Sequence, residues 1–101
     1  MNTLVAVSIV PMGEGDSVSE YVADVIKVIK DSGLKTQTTS MFTEIEGPWD
    51  DVMHVVKEAV EVLTDKGIRT EVMIKGDIRP GRENMMNTKV KSLNDRLSQK
   101  E

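Results

Sequence analysis

The side chains in this sequence best suited to chemistry are hydroxyls. Ser8 interrupts the otherwise apolar run from Thr3 to Pro11, and Thr38 and Thr43 fall on the next two extended segments. On one shared sheet face, these three would give a neutral organic ligand a few hydrogen bonds against a dry wall. The competing reading is that each hydroxyl bonds the neighbouring backbone. Met12 and Met41 either line such a pocket or fill core. Glu44 and Glu46 share a strand face about 7 Å apart, a spacing usable for acid–base work or for holding a cation. A solvated edge is the simpler reading of that pair. His54 lies near Asp50, Asp51 and Glu58, so it reads as part of a solvated acidic helix face. The Gly13-Glu14-Gly15 turn precedes a helix, where anions bind well. Glu14 and Asp16 would repel a phosphate there, and no Lys follows.

Other chemistries are excluded by composition. There is no Cys, which removes disulfides, thiol nucleophiles and thiolate metal sites. One His cannot build a multi-histidine site, and no Ser has a base partner, so no catalytic set and no metal are expected. A net charge of −4 argues against nucleic-acid binding. No apolar run approaches the ~18 residues of a membrane span. The start lacks the basic region of a signal peptide. A cytoplasmic protein without membrane contact is the expectation.

The elements that must position these residues follow from periodicity. Thr3–Pro11 is β-branched and ends at Pro, hence a strand. Both its faces are largely apolar, which predicts cover on both sides, the second supplied by a partner such as another subunit or by a ligand. Ser17 with Glu20 forms a capping box for a helix carrying Val18, Val22, Val25, Ile26 and Ile29, stopped near Gly33. Leu34–Thr39 reads as a polar edge strand and Met41–Gly47 as a third strand. Gly47-Pro48 opens a second helix with Trp49, Val52, Met53, Val56, Val60 and Leu63 as its buried stripe. Ile68–Ile78 alternates as a fourth strand, stopped by Pro80-Gly81. Glu83–Ser98 is a third helix whose Met86, Val90, Leu93 and Leu97 form a narrow docking seam.

One hundred and one residues make one domain, residues 1–101, with 81–101 as a helical extension. The order β-α-β-β-α-β plus a helix predicts an α+β, ferredoxin-like sandwich with a four-stranded antiparallel sheet. Residues 81–101 carry a net +2 and residues 1–80 a net −6, so the extension can dock on an acidic body.

The stretch Ser8-Ile9-Val10-Pro11-Met12-Gly13-Glu14-Gly15-Asp16-Ser17-Val18-Ser19-Glu20-Tyr21-Val22-Ala23 resembles the N-terminal signature of the small thiamine-binding, YkoF-like proteins. Thr43-Glu44-Ile45-Glu46-Gly47 and Trp49-Asp50-Asp51-Val52-Met53 are similar to later segments of that family, in the same order. The resemblance covers about residues 3–79. It implies a ferredoxin-like fold whose sheets associate into homodimers and homotetramers. It also implies binding of thiamine, or its hydroxymethylpyrimidine part, without catalysis and without a further cofactor. The residues it carries over are Ser8 and Pro11 on the pocket wall, Ser17 and Ser19 at the helix start, and Thr43 with Ile45 on the middle strand. Glu44 would favour a thiazolium cation. Thr38, Met12 and Met41 join the site from their own placement. The chain departs from the family at Phe42, where a Gly is usual, and at Lys75-Gly76-Asp77-Ile78-Arg79. A Phe in the pocket favours the competing function, an oligomeric interaction module with no small-molecule ligand. An enzyme built on Glu44 and Glu46 is the weakest reading.

Overall fold

The computed structural model describes residues 1–13, 15 and 18–100. Its elements run β1 (Asn2–Pro11), α1 (Val18–Lys30), β2 (Lys35–Thr38), β3 (Thr43–Pro48), α2 (Trp49–Thr64), β4 (Thr70–Ile78) and α3 (Met85–Ser98). The four strands form one antiparallel sheet in the order β2-β3-β1-β4, the ferredoxin-like arrangement. The predicted capping box falls on Ser17, which lies outside the described residues.

One face of the sheet carries α1 and α2. Val5, Val7 and Ile9 of β1 and Ile45 of β3 meet Val25 and Ile29 of α1 and Val52, Val55, Val56, Ala59 and Leu63 of α2. The α2 positions recur every three or four residues, which places them on one stripe. Trp49, expected in that stripe, is half-exposed at the helix start. Gly33 and Gly67 follow the two helices with φ of 82° and 75°, the left-handed conformation that turns the chain back toward the sheet.

The other face is partly covered by the chain itself. Leu4 packs with Met85 and Met86 at the start of α3. All four strands hold that end of the helix. Glu46 of β3 accepts from the Met85 and Met86 N–H groups at 2.6 and 2.9 Å. Asn2 of β1 donates to the same carboxylate at 2.8 Å. Lys35 of β2 bonds Asn84, and Asp77 of β4 pairs with Lys89 at 2.8 Å. Beyond this turn α3 leaves the body: Val90, Leu93 and Leu97 are all more than half exposed.

Two strands begin two residues later than predicted. Met41 is not in β3; it shares a two-residue connection with Ser40, and pairing starts at Thr43. Likewise β4 starts at Thr70 rather than Ile68, whose N–H instead closes the end of α2 on Leu63.

Candidate ligand-binding site

The sheet and α1 diverge at the tip of the β2–β3 hairpin. β1 runs ten residues, yet its ladder with β3 ends at Val7 opposite Thr43. Beyond that point β1 is paired only on its β4 side, from Ser8 to Pro11. The hairpin closes through one main-chain bond, Thr39 N–H to Phe42 C=O at 2.8 Å. The Thr39 hydroxyl bonds the Phe42 main chain as well, donating at 3.0 Å and accepting at 3.4 Å. Neither Ser40 nor Met41 takes a positive φ. Turns without positive φ splay a hairpin rather than follow the strand twist.

A cavity of about 210 Å³ fills the space left where β3 would continue. One wall is β1 from Val7 to Val10. The opposite wall is the hairpin tip, including Thr38, Met41, Phe42 and Thr43. The apolar floor is α1, through Val22, Val25, Ile26 and Ile29. Phe42 therefore lines an open cavity and does not close it.

Four of the predicted site residues meet here: Ser8, Thr38, Met41 and Thr43. Thr38 and Thr43 are opposite one another, their hydroxyls 3.3 Å apart. Ser8 does not join them on one sheet face. Val7 and Ile9 point to the helices, so strand alternation sends the Ser8 side chain to the other face, opposite Met73. Ser8 borders the cavity through its main chain. The wide gap between two strands, and not a face shared by three hydroxyls, is what opens this space.

The remaining predicted residues lie elsewhere. Ile45 is fully buried in the core, one pair removed from the cavity. Pro11 is buried and Met12 half-buried at the far end of β1, and neither lines the cavity. Ser19 is exposed on the first turn of α1, and Ser17 lies outside the described residues. Glu44 pairs with Ala6 and Gln37 on the face opposite the cavity, so it does not face a ligand there.

Glu46 is the largest correction. The expected solvated carboxylate is only 5% exposed. Burial alone would raise its pKa. The Met86 N–H, the Asn2 amide and the Met85 N–H outweigh that, with Lys35 adding its charge, and hold the carboxyl below its ordinary value. It caps a helix. A strand Glu carries no sequence signal for this role, because its partner lies 39 residues downstream. His54 sits exposed beside Glu58, as read from the sequence.

The residues missed by sequence reasoning are those of α1, assigned to core, and Phe42, treated as an obstruction. Their signal was present in the helical stripe itself: Val22 and Ile26 lie one turn apart, so both can floor the same cavity.

Comparison with known proteins places the chain. Residues 5–94 match the family described as thiamine-binding protein, a family named for binding and not for catalysis. A UPF0045 protein of Mycobacterium bovis is 44% identical over 91 residues, 89% of each chain. A UPF0045 protein of Methanocaldococcus jannaschii is 38% identical over 89 residues. Its crystal structure gives a TM-score of 0.81 and covers 92% of this chain and 96% of that one. A Thermotoga maritima protein, described as a candidate thiamine biosynthesis/salvage protein, shares the fold at 22% identity, with a TM-score of 0.78 over 91% of this chain and 99% of its own.

Proposed function

We propose a function for this chain from one premise: it belongs to the thiamine-binding protein family. The chain binds thiamine or a related hydroxymethylpyrimidine, without transforming it, in the cavity between α1, β1 and the β2–β3 tip. The observation that carries this reading is the cavity itself. It joins an apolar floor to a small polar edge, the composition that suits an uncharged aromatic ring. Its volume also sets what fits. An apolar cavity of about 150 Å³ takes a benzene. About 210 Å³ therefore takes one substituted six-membered ring, and the thiazolium of thiamine would lie at the mouth. With few hydrogen bonds available, affinity is modest and rests on shape.

The protein acts as a homo-oligomer in this reading. Two surfaces support it. β4 is an edge strand of nine residues with Val72, Met73, Ile74 and Ile78 exposed. A long apolar edge is a pairing template and calls for cover. The outer half of α3 presents Val90, Leu93 and Leu97 to solvent. Self-association through β4 and α3 would give dimers and then tetramers. No helix among the described residues is long and apolar enough to cross a membrane; a cytoplasmic setting completes the proposal.

Thermal unfolding with thiamine, thiamine phosphates and hydroxymethylpyrimidine tests the reading. A ligand at 100 times its Kd stabilises by about 2.7 kcal/mol, a shift of several degrees for a domain of this size. No shift with any of them at millimolar concentration sinks the binder. The unligated interaction module then becomes the better account of the exposed β4 and α3 surfaces.

A further inference from the structure

We propose that the main-chain N–H and C=O of Ile9 are the hydrogen-bonding element of this cavity, and that they select a flat heteroaromatic ring bearing a donor next to an acceptor on its rim. This rests on the binding reading above and names the part of the ligand that is read.

In an antiparallel sheet, alternate residues of a strand direct both main-chain polar groups to one neighbour, and the others to the opposite neighbour. The Met12 N–H donates to the Arg69 carbonyl at 2.8 Å, continuing the β1–β4 register. Even-numbered residues of β1 therefore serve β4, and odd-numbered residues serve β3. The β3 side gives the same phase. Thr39 bonds Phe42, so even-numbered residues of β3 face β2, and Thr43 and Ile45 face Val7 and Val5. Pro11 fits as well: its ring nitrogen falls on the side where no ladder donor is needed.

Ile9 is the first odd-numbered residue beyond the end of the β1–β3 ladder. Its N–H and C=O point into the gap, and no hydrogen bond among the described residues reaches either group. Ile9 is itself buried, and it lines the cavity. A ligand that supplies both an acceptor and a donor completes the main-chain pairing that the β1–β3 ladder leaves off at this point. The rim of an aminopyrimidine, an exocyclic amine beside a ring nitrogen, supplies both in one plane. A carboxylate or phosphate offers acceptors only and would leave the Ile9 carbonyl unmet. The cavity thus reads the neutral ring end of its ligand and turns any phosphate away. Val22 and Ile26 beneath and Phe42 beside the gap supply the apolar surface for the ring.

Amide exchange on the 15N-labelled full chain tests this. In the free protein the Ile9 amide should exchange faster than its neighbours Val7 and Val10, which sit in ladders. Slow exchange there without ligand overturns the proposal. Saturating hydroxymethylpyrimidine should slow Ile9 exchange at least about tenfold and move its amide resonance downfield. An analogue with the exocyclic amine dimethylated should bind about tenfold more weakly. If the parent compound raises Tm but leaves the Ile9 amide unmoved, or the dimethylated ring binds equally well, the Ile9 assignment fails and the family-level binding reading survives. If no compound raises Tm or moves any amide, both fall together.

Discussion

Glu46 shows how one side chain can be assigned to the wrong chemistry by its neighbours in sequence. On the strand it alternates with Glu44, a pattern that suggests a paired acidic site. In the fold it supplies the cap for α3, whose own N-cap residue, Asn84, makes no capping bond. Replacing it with Ala leaves two buried helix N–H groups unmet and should cost about 1–3 kcal/mol by chemical denaturation. It should also open the chain to proteolysis before Met85. The same carboxylate gives a pH dependence with a definite sign. Its folded pKa lies below the ordinary 4.5. Its contribution is complete above that value and is lost as pH falls through the folded pKa. Glu46→Gln should flatten this part of the stability–pH curve; an unchanged curve would remove Glu46 from the account. At the cavity, Thr43→Val deletes one hydroxyl of the Thr38–Thr43 pair at nearly constant volume. It should weaken thiamine or pyrimidine binding about three- to tenfold with the fold intact. Unchanged affinity in a titration would place the polar contacts elsewhere.

At the scale of elements, the strands set the site by where they stop. β1 and β4 continue past the end of β3, and the two-residue Ser40-Met41 connection lets the hairpin tip part from β1. That mismatch of lengths makes a cavity from ordinary parts. The sheet edge raises a separate expectation. Ile74 is 43% exposed on β4, on the helix side of the sheet. Ile74→Lys should leave monomer stability within about 0.5 kcal/mol, as exposed substitutions usually do. It should shift the assembly toward monomer in light scattering after size exclusion, because edge Lys blocks strand pairing. Retention of the wild-type mass would move the interface off β4.

The whole molecule is longer than a compact chain of its size. Its largest extent is 49 Å and its radius of gyration 15.3 Å, against about 13 Å for a compact 100-residue domain. The projecting half of α3 accounts for this, since only its first turn packs on the sheet. The charge asymmetry noted in the sequence has one local expression here, Lys89 of the basic extension on Asp77 of the acidic body. Such an exposed pair orients the helix more than it stabilises it.

The local chemistry of the chain determined the elements. β-Branched runs, helical stripes and glycines after each helix are short-range signals, and they specify β1, α1, α2 and the ferredoxin-like order without tertiary information. The signature around Ser8–Ala23 carried the family for the same reason: it is contiguous. Thr38, Met41 and Thr43 were also legible, because a hairpin keeps them within a few residues of one another. The tertiary structure decided what depends on register and distance. Strand phase turned the Ser8 hydroxyl away from the cavity and exposed the main chain of Ile9 instead. A contact across 39 residues made Glu46 a helix cap. The length of one ladder relative to another opened the cavity. Side-chain pattern carries none of these, since backbone hydrogen-bond direction and the end of a ladder leave no mark on residue type.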